Sequence, residues 1–287
     1  MTAQLHQPPA PWPSVHSAMV GRYALLVPEA PLLVLLLALH LIAGFALMTA
    51  LLGISAVLWF VARMSLLARS RYLIAIADYR RAERALRIAL WLHPYSADVY
   101  TLLGMLSLAR GRADEAINSL NQAARYFPLH SDLHAMLSGA LLEDDDPEAA
   151  FSEARQAVDL DPQNASAYLH LASAEQVLGV APDLAERHLR TGLERCNEAA
   201  DEAALRCALA AMLINEGRLG EAQLALVGLP SLLESCPPAQ RAGLHFHLGE
   251  LFRQIGEQEL ARSHYQASES LDPHGRYAAA AWRAARI

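Results

Sequence analysis

Three prolines, Pro94, Pro128 and Pro162, stand 34 residues apart in a chain of 287 residues. Small residues keep the same spacing, with one alanine twelve residues before each proline and another five residues before it. An internal period between about 20 and 50 residues is typical of solenoids, in which each unit contacts only its neighbours. The sequence therefore predicts an array of short, similar units rather than one globular core.

The unit is clearest in YTLLGMLSLARGRADEAINSLNQAARYFP, at 100–128. Gly104 is small enough to let two antiparallel helices cross closely, and we expect it to lie against Ala116 and Ala123. Gly111 can end the first helix in a left-handed conformation because glycine has no Cβ. The closing proline lacks the donor that a continued helix would need. The turn role of Gly111 is also expected of Gly179, Gly217 and Gly256.

This pattern resembles the tetratricopeptide repeat family, whose units carry an aromatic residue, Leu-Gly, a turn glycine, spaced alanines and a closing proline. A second clear copy is HFHLGELFRQIGEQELARSHYQASESLDP, at 245–273. The resemblance implies an all-α fold, a right-handed superhelix of about six helix-turn-helix repeats. The first unit lacks the glycine of Leu-Gly, and the fifth departs from the pattern. The six units, 63–275 together, are placed at 63–96, 97–130, 131–164, 165–199, 203–236 and 242–275, with a capping helix at 276–287.

A run of thirty residues without a charge, 32–61, precedes the repeats. It predicts a transmembrane segment within residues 23–62 and is too long for the apolar region of a signal peptide. One helix of this length spans about 45 Å, more than a hydrocarbon core of about 30 Å, whereas two full spans need about forty residues. One long tilted helix and a short two-helix hairpin with its turn at Gly44 both stay open. His40 is a candidate for a helix or partner contact, or else a tolerated interfacial residue.

The arginines flank this run unequally. Seven of them lie between residues 63 and 87, and Arg22 alone precedes the run. By the positive-inside rule the repeats are expected in the cytoplasm, at a bacterial inner membrane. The part after Pro94 carries a net charge of −12, which argues against a nucleic-acid partner because phosphates need concentrated positive charge. Residues 1–22 are expected to form a disordered, proline-rich tail.

The sequence holds none of the common catalytic or nucleotide-binding motifs, and the repeats leave no segment for a catalytic domain. We therefore predict no enzyme activity and no cofactor. The three cysteines are widely spaced, which favours free thiols over a disulfide framework or a zinc site. The acidic run at 143–146 lacks the alternation of a calcium loop; it is expected to be a solvated turn in which Asp146 caps a helix starting at Pro147. His245 and His247 are expected to be structural, and no metal site is predicted.

In tetratricopeptide proteins the first helix of each repeat lines the concave face, so the resemblance implies partner-binding positions here. In repeats two to four they are largely apolar with an acidic edge, and none is basic. They lack the basic clamp with which chaperone-binding members hold a terminal carboxylate. Such a surface suits an apolar or amphipathic helix; the alternative is that neighbouring repeats cover it. The positions are Asp98, Thr101, Met105, Leu108, Asp132, Ala135, Gly139, Leu142, Ser166, Leu169, Ser173 and Gln176.

The stretch PEAPLLVLLLALHLIAGFAL, at 28–47, and the order of parts resemble the PelE family, the repeat-bearing membrane subunit of bacterial Pel exopolysaccharide systems. This resemblance implies a non-catalytic scaffold for biofilm matrix synthesis, with a cyclic-di-GMP receptor, a glycosyltransferase and a polytopic transporter as partners. Two alternatives stay open. One is an assembly chaperone of the cytochrome c maturation type, which works outside the cytoplasm and is therefore distinguished by orientation. The other is a regulatory adaptor of another membrane complex.

Overall fold

The computed structural model describes residues 29–43, 46–180 and 182–286, and all regular secondary structure in these ranges is α-helical. The predicted tail at 1–22 and the predicted turn at Gly44 lie outside the described residues. In chain order the helices are α1 Glu29–Ala43, α2 Ala46–Ala75, α3 Tyr79–Leu92, α4 Ala97–Ala109, α5 Ala113–Tyr126, α6 Ser131–Glu143, α7 Pro147–Leu160, α8 Ala165–Val177, α9 Pro182–Arg195, α10 Ala199–Asn215, α11 Leu219–Leu226, α12 Leu229–Ser235, α13 Pro238–Gln254, α14 Gln258–Leu271 and α15 Ala278–Ala284.

The helices pack in pairs that follow the predicted units. The end of α2 packs against α3, and α4 packs against α5, α6 against α7, α8 against α9 and α13 against α14. Consecutive pairs also contact each other, as α5 does α6 and α7 does α8. The buried apolar side chains form successive clusters along the chain instead of one central core. The protein is therefore an array of helical repeats, as the period predicts.

A left-handed residue ends the first helix of every repeat. The four predicted turn glycines all have positive φ, between 68° and 88°. Ala77 and Asp145 have φ of 61° and 62°, and each stands 34 residues from Gly111. The turn geometry is therefore kept even where the residue has a Cβ, at a cost of about 1–2 kcal/mol per residue. The repeat packing overrides the local preference of the side chain.

The close crossing of α4 and α5 depends on Gly104. A Cβ at Gly104 would lie 2.6 Å from Cγ of Leu120, a side chain with no exposed surface. Ala116 and Ala123 are buried in the same cluster as Leu120. The three atoms nearest to the added Cβ all belong to Leu120, which the sequence analysis did not single out.

Helix caps follow the sequence closely. Asp146 accepts a hydrogen bond from the amide of Ala149 at 3.1 Å, and Pro147 is the first residue of α7. Both were predicted. Asn164 caps α8 in the same way, accepting from the amide of Ala167 at 3.1 Å.

The fifth repeat departs from the pattern because its second helix is split. Helix α11 ends at Leu226 and α12 begins at Leu229, with Gly228 between them at φ 77°. Pro230 is accommodated in the first turn of α12, where its missing donor costs nothing, whereas it would disrupt the interior of a continuous helix. The Gly-Leu-Pro sequence thus explains the break.

Two helices, not one continuous helix, occupy the apolar N-terminal run. They contact each other, and Nδ1 of His40 in α1 lies 3.0 Å from Oγ1 of Thr49 in α2. Because these residues are nine positions apart in sequence, the short distance between them means that α1 folds back on α2. Within α2, Leu47–Ala75 is long and apolar enough to cross a membrane. His40 therefore makes a helix contact, which was one of its predicted roles.

Candidate partner-binding surface

The repeat array bends until its two ends meet. Helix α2 at the start contacts α13 near the end. The loop at 272–277, between α14 and α15, reaches the first three repeats, and we call it the closing loop. Its Arg276 amide donates to the carbonyl of Ala109 at 3.0 Å, and its Arg276 guanidinium pairs with the carboxylate of Glu143.

A buried hydrogen bond completes this junction. The hydroxyl of Tyr79 in α3 donates to the carboxylate of Asp272, and both side chains are buried. Burial raises the pKa of Asp272 above its usual range, although the hydrogen bond from Tyr79 opposes that shift. Burial, reinforced by Asp272, also raises the pKa of Tyr79. The phenol therefore stays protonated and can act as the donor.

A cavity of about 730 Å³ lies between the two ends of the array and is lined by residues of both. First helices supply most of its wall, namely α2, α4, α6, α10 and α13. The closing loop, the link between α12 and α13, and single residues of α3, α12 and α14 also contribute. The lining is mainly apolar and includes Ile74, Met105, Leu108, Met136, Cys236 and Tyr277. This cavity is therefore a candidate binding surface.

Comparison with known proteins agrees with this architecture. A family model described as tetratricopeptide repeat matches residues 67–123 and 101–165. Residues 67–165 therefore carry tetratricopeptide repeats. A search of curated proteins gave no match.

Several solved structures share the fold of this chain. PilF of Pseudomonas aeruginosa superposes with a TM-score of 0.51 at 17% identity, covering 75% of this chain and 94% of that one. PilW, a type IV pilus biogenesis factor, gives a TM-score of 0.53 at 17% identity and covers 77% and 98%. A chain of the APC/C hetero-tetramer Cut9–Hcn1 gives 0.56 at 15% identity and covers 90% and 53%. At these identities the likeness is one of fold alone.

The tetratricopeptide array brings only part of the predicted partner surface to the cavity. Met105 and Leu108 line it. Ala135 is only 1% exposed, so its side chain faces the neighbouring repeat. A Cβ at Gly139 would lie 2.8 Å from the ring of His170, which covers that position. The alternative in which neighbouring repeats cover these positions holds for Ala135 and Gly139.

The polar predicted positions form an acidic edge. Asp132 accepts from Nδ2 of Asn164 at 2.8 Å, and the hydroxyl of Ser166 donates to Asp201 at 3.0 Å. Burial raises the pKa of Asp201, and the nearby charges of Glu198 and Asp132 raise it further, against the hydrogen bond from Ser166. Thr101 and Ser173 donate to carbonyls of their own helices. The other predicted positions are the exposed Asp98 and Gln176 and the half-buried Leu142 and Leu169.

The sequence analysis missed part of the cavity wall, in the third repeat and in the C-terminal part of the array. Met136, Cys236 and Gly243 line the cavity together with Tyr277, yet none is among the predicted positions. The repeat pattern could have identified Gly243, because it occupies in repeat six the first-helix position that Asp98 occupies in repeat two. The closing loop has no such signal.

The remaining chemical candidates have structural partners. Nδ1 of His245 lies 2.8 Å from Nδ1 of His264, and Nε2 of His247 lies 2.9 Å from the hydroxyl of Tyr277. Burial raises the pKa of the Cys207 thiol to about 12, which makes it a poor nucleophile at neutral pH. Within the described parts of the chain, no three His, Cys, Asp or Glu side chains are grouped as metal ligands would be.

Proposed function

We propose that this protein is a non-catalytic, membrane-anchored scaffold whose tetratricopeptide array binds other proteins of a bacterial inner-membrane complex. The observation that carries the proposal is the direct continuity of an exposed apolar helix pair with a concave binding surface. Helix α2 belongs to both, since its first half is apolar and exposed and its last turn lines the cavity.

The case for anchoring rests on the surface of α1 and α2. Most large apolar side chains in this pair are exposed, and Leu41, Ile42 and Leu47 are 75%, 86% and 77% exposed. No charged residue lies between 30 and 62. An apolar surface of this size is unstable in water and is typical of a membrane contact.

The lengths of the two helices fit a hairpin that enters the bilayer from one side. The 15 residues of α1 span about 22 Å and the 30 residues of α2 about 45 Å. The longer helix can therefore leave the hydrocarbon core of about 30 Å and continue into the first repeat. The arginines at 63–87 lie at this exit, so the array faces the cytoplasm.

Within this class we propose a role in a Pel-type exopolysaccharide synthesis and export complex. Support comes from the order of parts and from residues 28–47, which resemble the PelE family. The partners would be a cyclic-di-GMP receptor, a glycosyltransferase and a polytopic transporter. Met105, Leu108 and Met136 give the concave surface the adaptable apolar character that suits a helix from such a partner.

Affinity purification of the full-length chain from its own membranes tests the proposal. Co-purification of a glycosyltransferase and a polytopic transporter is expected, whereas recovery of haem-ligation proteins would favour an assembly chaperone and contradict it. Met105→Arg is expected to reduce recovery of the partners, because Met105 lines the cavity. Leu129→Arg is the matched control, since Leu129 is 51% exposed and lies outside the cavity lining.

A reporter fused after Ile287 tests the orientation separately. A reporter that is active only in the cytoplasm is expected to be active in this fusion. Activity restricted to a periplasmic reporter would refute the orientation without affecting the assignment of the repeats.

A further inference from the structure

Helix α3, the first helix after the apolar pair, has one buried and one exposed face. Its buried residues are Tyr79, Ala82, Ala85, Leu86 and Ala89. Spacings of four, three and four residues place a second set of side chains in one stripe along a helix, and all of this set are exposed. These residues, which we call the basic stripe, are Arg80, Arg84, Arg87 and Trp91. The stripe therefore ends in a tryptophan ring that is 80% exposed.

Most of the positive charge of the basic stripe is not neutralised by the chain itself. Arg87 pairs with Glu83 at 2.6 Å, but its side chain is 75% exposed. Nε of Arg84 donates to the carbonyl of Arg80 at 3.3 Å, and neither of these two arginines pairs with a carboxylate in the part of the chain that the structure describes. The stripe is therefore a basic surface that suits an anionic partner.

The link between α2 and α3 sets the height of the stripe relative to the apolar run. Only residues 76–78 separate the two helices, which pack against each other. Such a short link makes them antiparallel, so residues equally far from it lie at about the same height. Trp91 is twelve residues after the start of α3, and Arg63 is twelve residues before the end of α2. Trp91 therefore lies about level with the first residues that follow the uncharged run.

The spacing along the stripe matches the layers of a bilayer surface. The headgroup region adds about 5–8 Å on each side of the hydrocarbon core. Tryptophan is enriched at the inner edge of this region, because its ring is apolar and its indole N–H is polar. At about 1.5 Å per residue, Arg87 lies about 6 Å and Arg84 about 10 Å from Trp91, on the side away from the core. The two guanidinium groups are therefore at the height of the lipid phosphates and just beyond them.

We propose that the basic stripe is a second membrane contact, in which Trp91 lies at the hydrocarbon boundary and Arg84 and Arg87 bind the phosphates of anionic lipids. The inference rests on the proposed anchoring through α1 and α2. Height favours lipid over a protein partner, because at the end of the uncharged run an outward side chain meets headgroups. The contact holds the first repeat against the bilayer and so fixes the direction in which the concave surface faces.

Quenching of tryptophan fluorescence from the lipid and from the water tests the contact. Three full-length variants each keep one tryptophan, with phenylalanine at the other native positions. The first keeps Trp91, and the second keeps Trp59 in α2. The third carries Arg81→Trp, whose position in α3 is also exposed but lies about 15 Å further from the membrane than Trp91. Each is placed in vesicles of phosphatidylcholine and phosphatidylglycerol, with or without bromine on the acyl chains near the headgroup.

The emission of Trp91 is expected to fall about twofold or more in the brominated vesicles and to be little quenched by acrylamide in the water. The Arg81→Trp control is expected to show the reverse. If Trp91 behaves like this control while brominated lipid quenches Trp59, the second contact is refuted and the anchoring stands. If brominated lipid leaves Trp59 unquenched as well, the anchoring fails and the second contact with it. Protection of Trp91 that appears only after cytoplasmic extract is added would assign the stripe to a protein partner and also overturn the lipid contact.

Removing charge from the stripe tests the phosphate contacts. Each arginine near an anionic surface strengthens such a contact about fivefold, so Arg84→Gln with Arg87→Gln is expected to remove most of the lipid quenching of Trp91. Arg80→Gln with Arg81→Gln is the matched control, because it removes the same charge from the same helix at about 15 Å from Trp91. That distance exceeds the Debye length of about 10 Å at 0.1 M salt. Equal losses in the two variants would refute the role of Arg84 and Arg87, and circular dichroism checks that both keep their helices.

Discussion

Gly104→Ala is the substitution that most directly tests how the repeats pack. The added Cβ would lie 2.6 Å from Cγ and 2.7 Å from Cδ2 of Leu120, whereas carbon atoms pack at about 3.5–4.0 Å. Leu120 is fully buried. Overpacking of this kind costs about 1–3 kcal/mol, and replacing a helical glycine by alanine returns about 1 kcal/mol. We therefore expect Gly104→Ala to lower the free energy of unfolding by about 1 kcal/mol.

The control for helix propensity is Gly220→Ala in α11, where an added Cβ has no atom within 4 Å. This variant is expected to be more stable than the parent by about 0.5–1 kcal/mol. Urea titration of the full-length chain in detergent micelles, followed by circular dichroism, compares the unfolding midpoints of the three proteins. If Gly104→Ala and Gly220→Ala raise the midpoint equally, the close approach of α4 and α5 is not a real constraint. Gly249→Ala repeats the test, since its Cβ would lie 2.6 Å from the ring of Tyr265.

Three further outcomes are expected. Ala77 has a φ of 61°, which is strained for a residue with a Cβ. Ala77→Gly is therefore expected to raise the free energy of unfolding by about 1 kcal/mol, and Asp145→Gly to act in the same direction. A loss of stability in the same urea titration would contradict this strain. Burial, together with the nearby charges of His264 and Arg241, lowers the pKa of His245 to about 4. The pKa of a histidine in the unfolded chain is about 6.5. The stability contributed by neutral His245 is therefore complete above about pH 6.5 and is lost as the pH falls towards 4. His245→Phe is expected to reduce this acid sensitivity in thermal melts between those pH values, and an unchanged pH profile would exclude His245 as its source. Arg218→Gln is expected to change the urea midpoint little, because the ion pairs of Arg218 with its carboxylate partners are screened by solvent. A large decrease in the midpoint that high salt does not reproduce would contradict this.

Features confined to one repeat could be predicted from the sequence. The positive φ of Gly111 and the Asp146 cap each depend on residues within a few positions of each other. The prediction of helix pairs was correct for the same reason. The positive φ of Ala77 and Asp145 was missed because neither residue type favours a left-handed conformation as glycine does. The packing of the repeats imposes it on them here.

The partner surface was predicted less well because it depends on the curvature of the whole array. Met105 and Leu108, chosen by repeat position, line the cavity, but the repeat pattern could not show that His170 covers Gly139. The closing loop had no local signal at all. Its contacts with Tyr79 span 193 residues, and nothing in either stretch of sequence specifies the other.

Joining the two ends also changes how the array is expected to lose its structure. The terminal repeats of a linear solenoid have one neighbour each and open first, so that disorder spreads inward from the ends. Here the first repeat has a second neighbour through Tyr79 and Asp272, and the last has one through Arg276. While the junction holds, no repeat is terminal, and any local opening must break two interfaces at once. Releasing the junction would therefore restore fraying at both ends and reduce the cooperativity of unfolding.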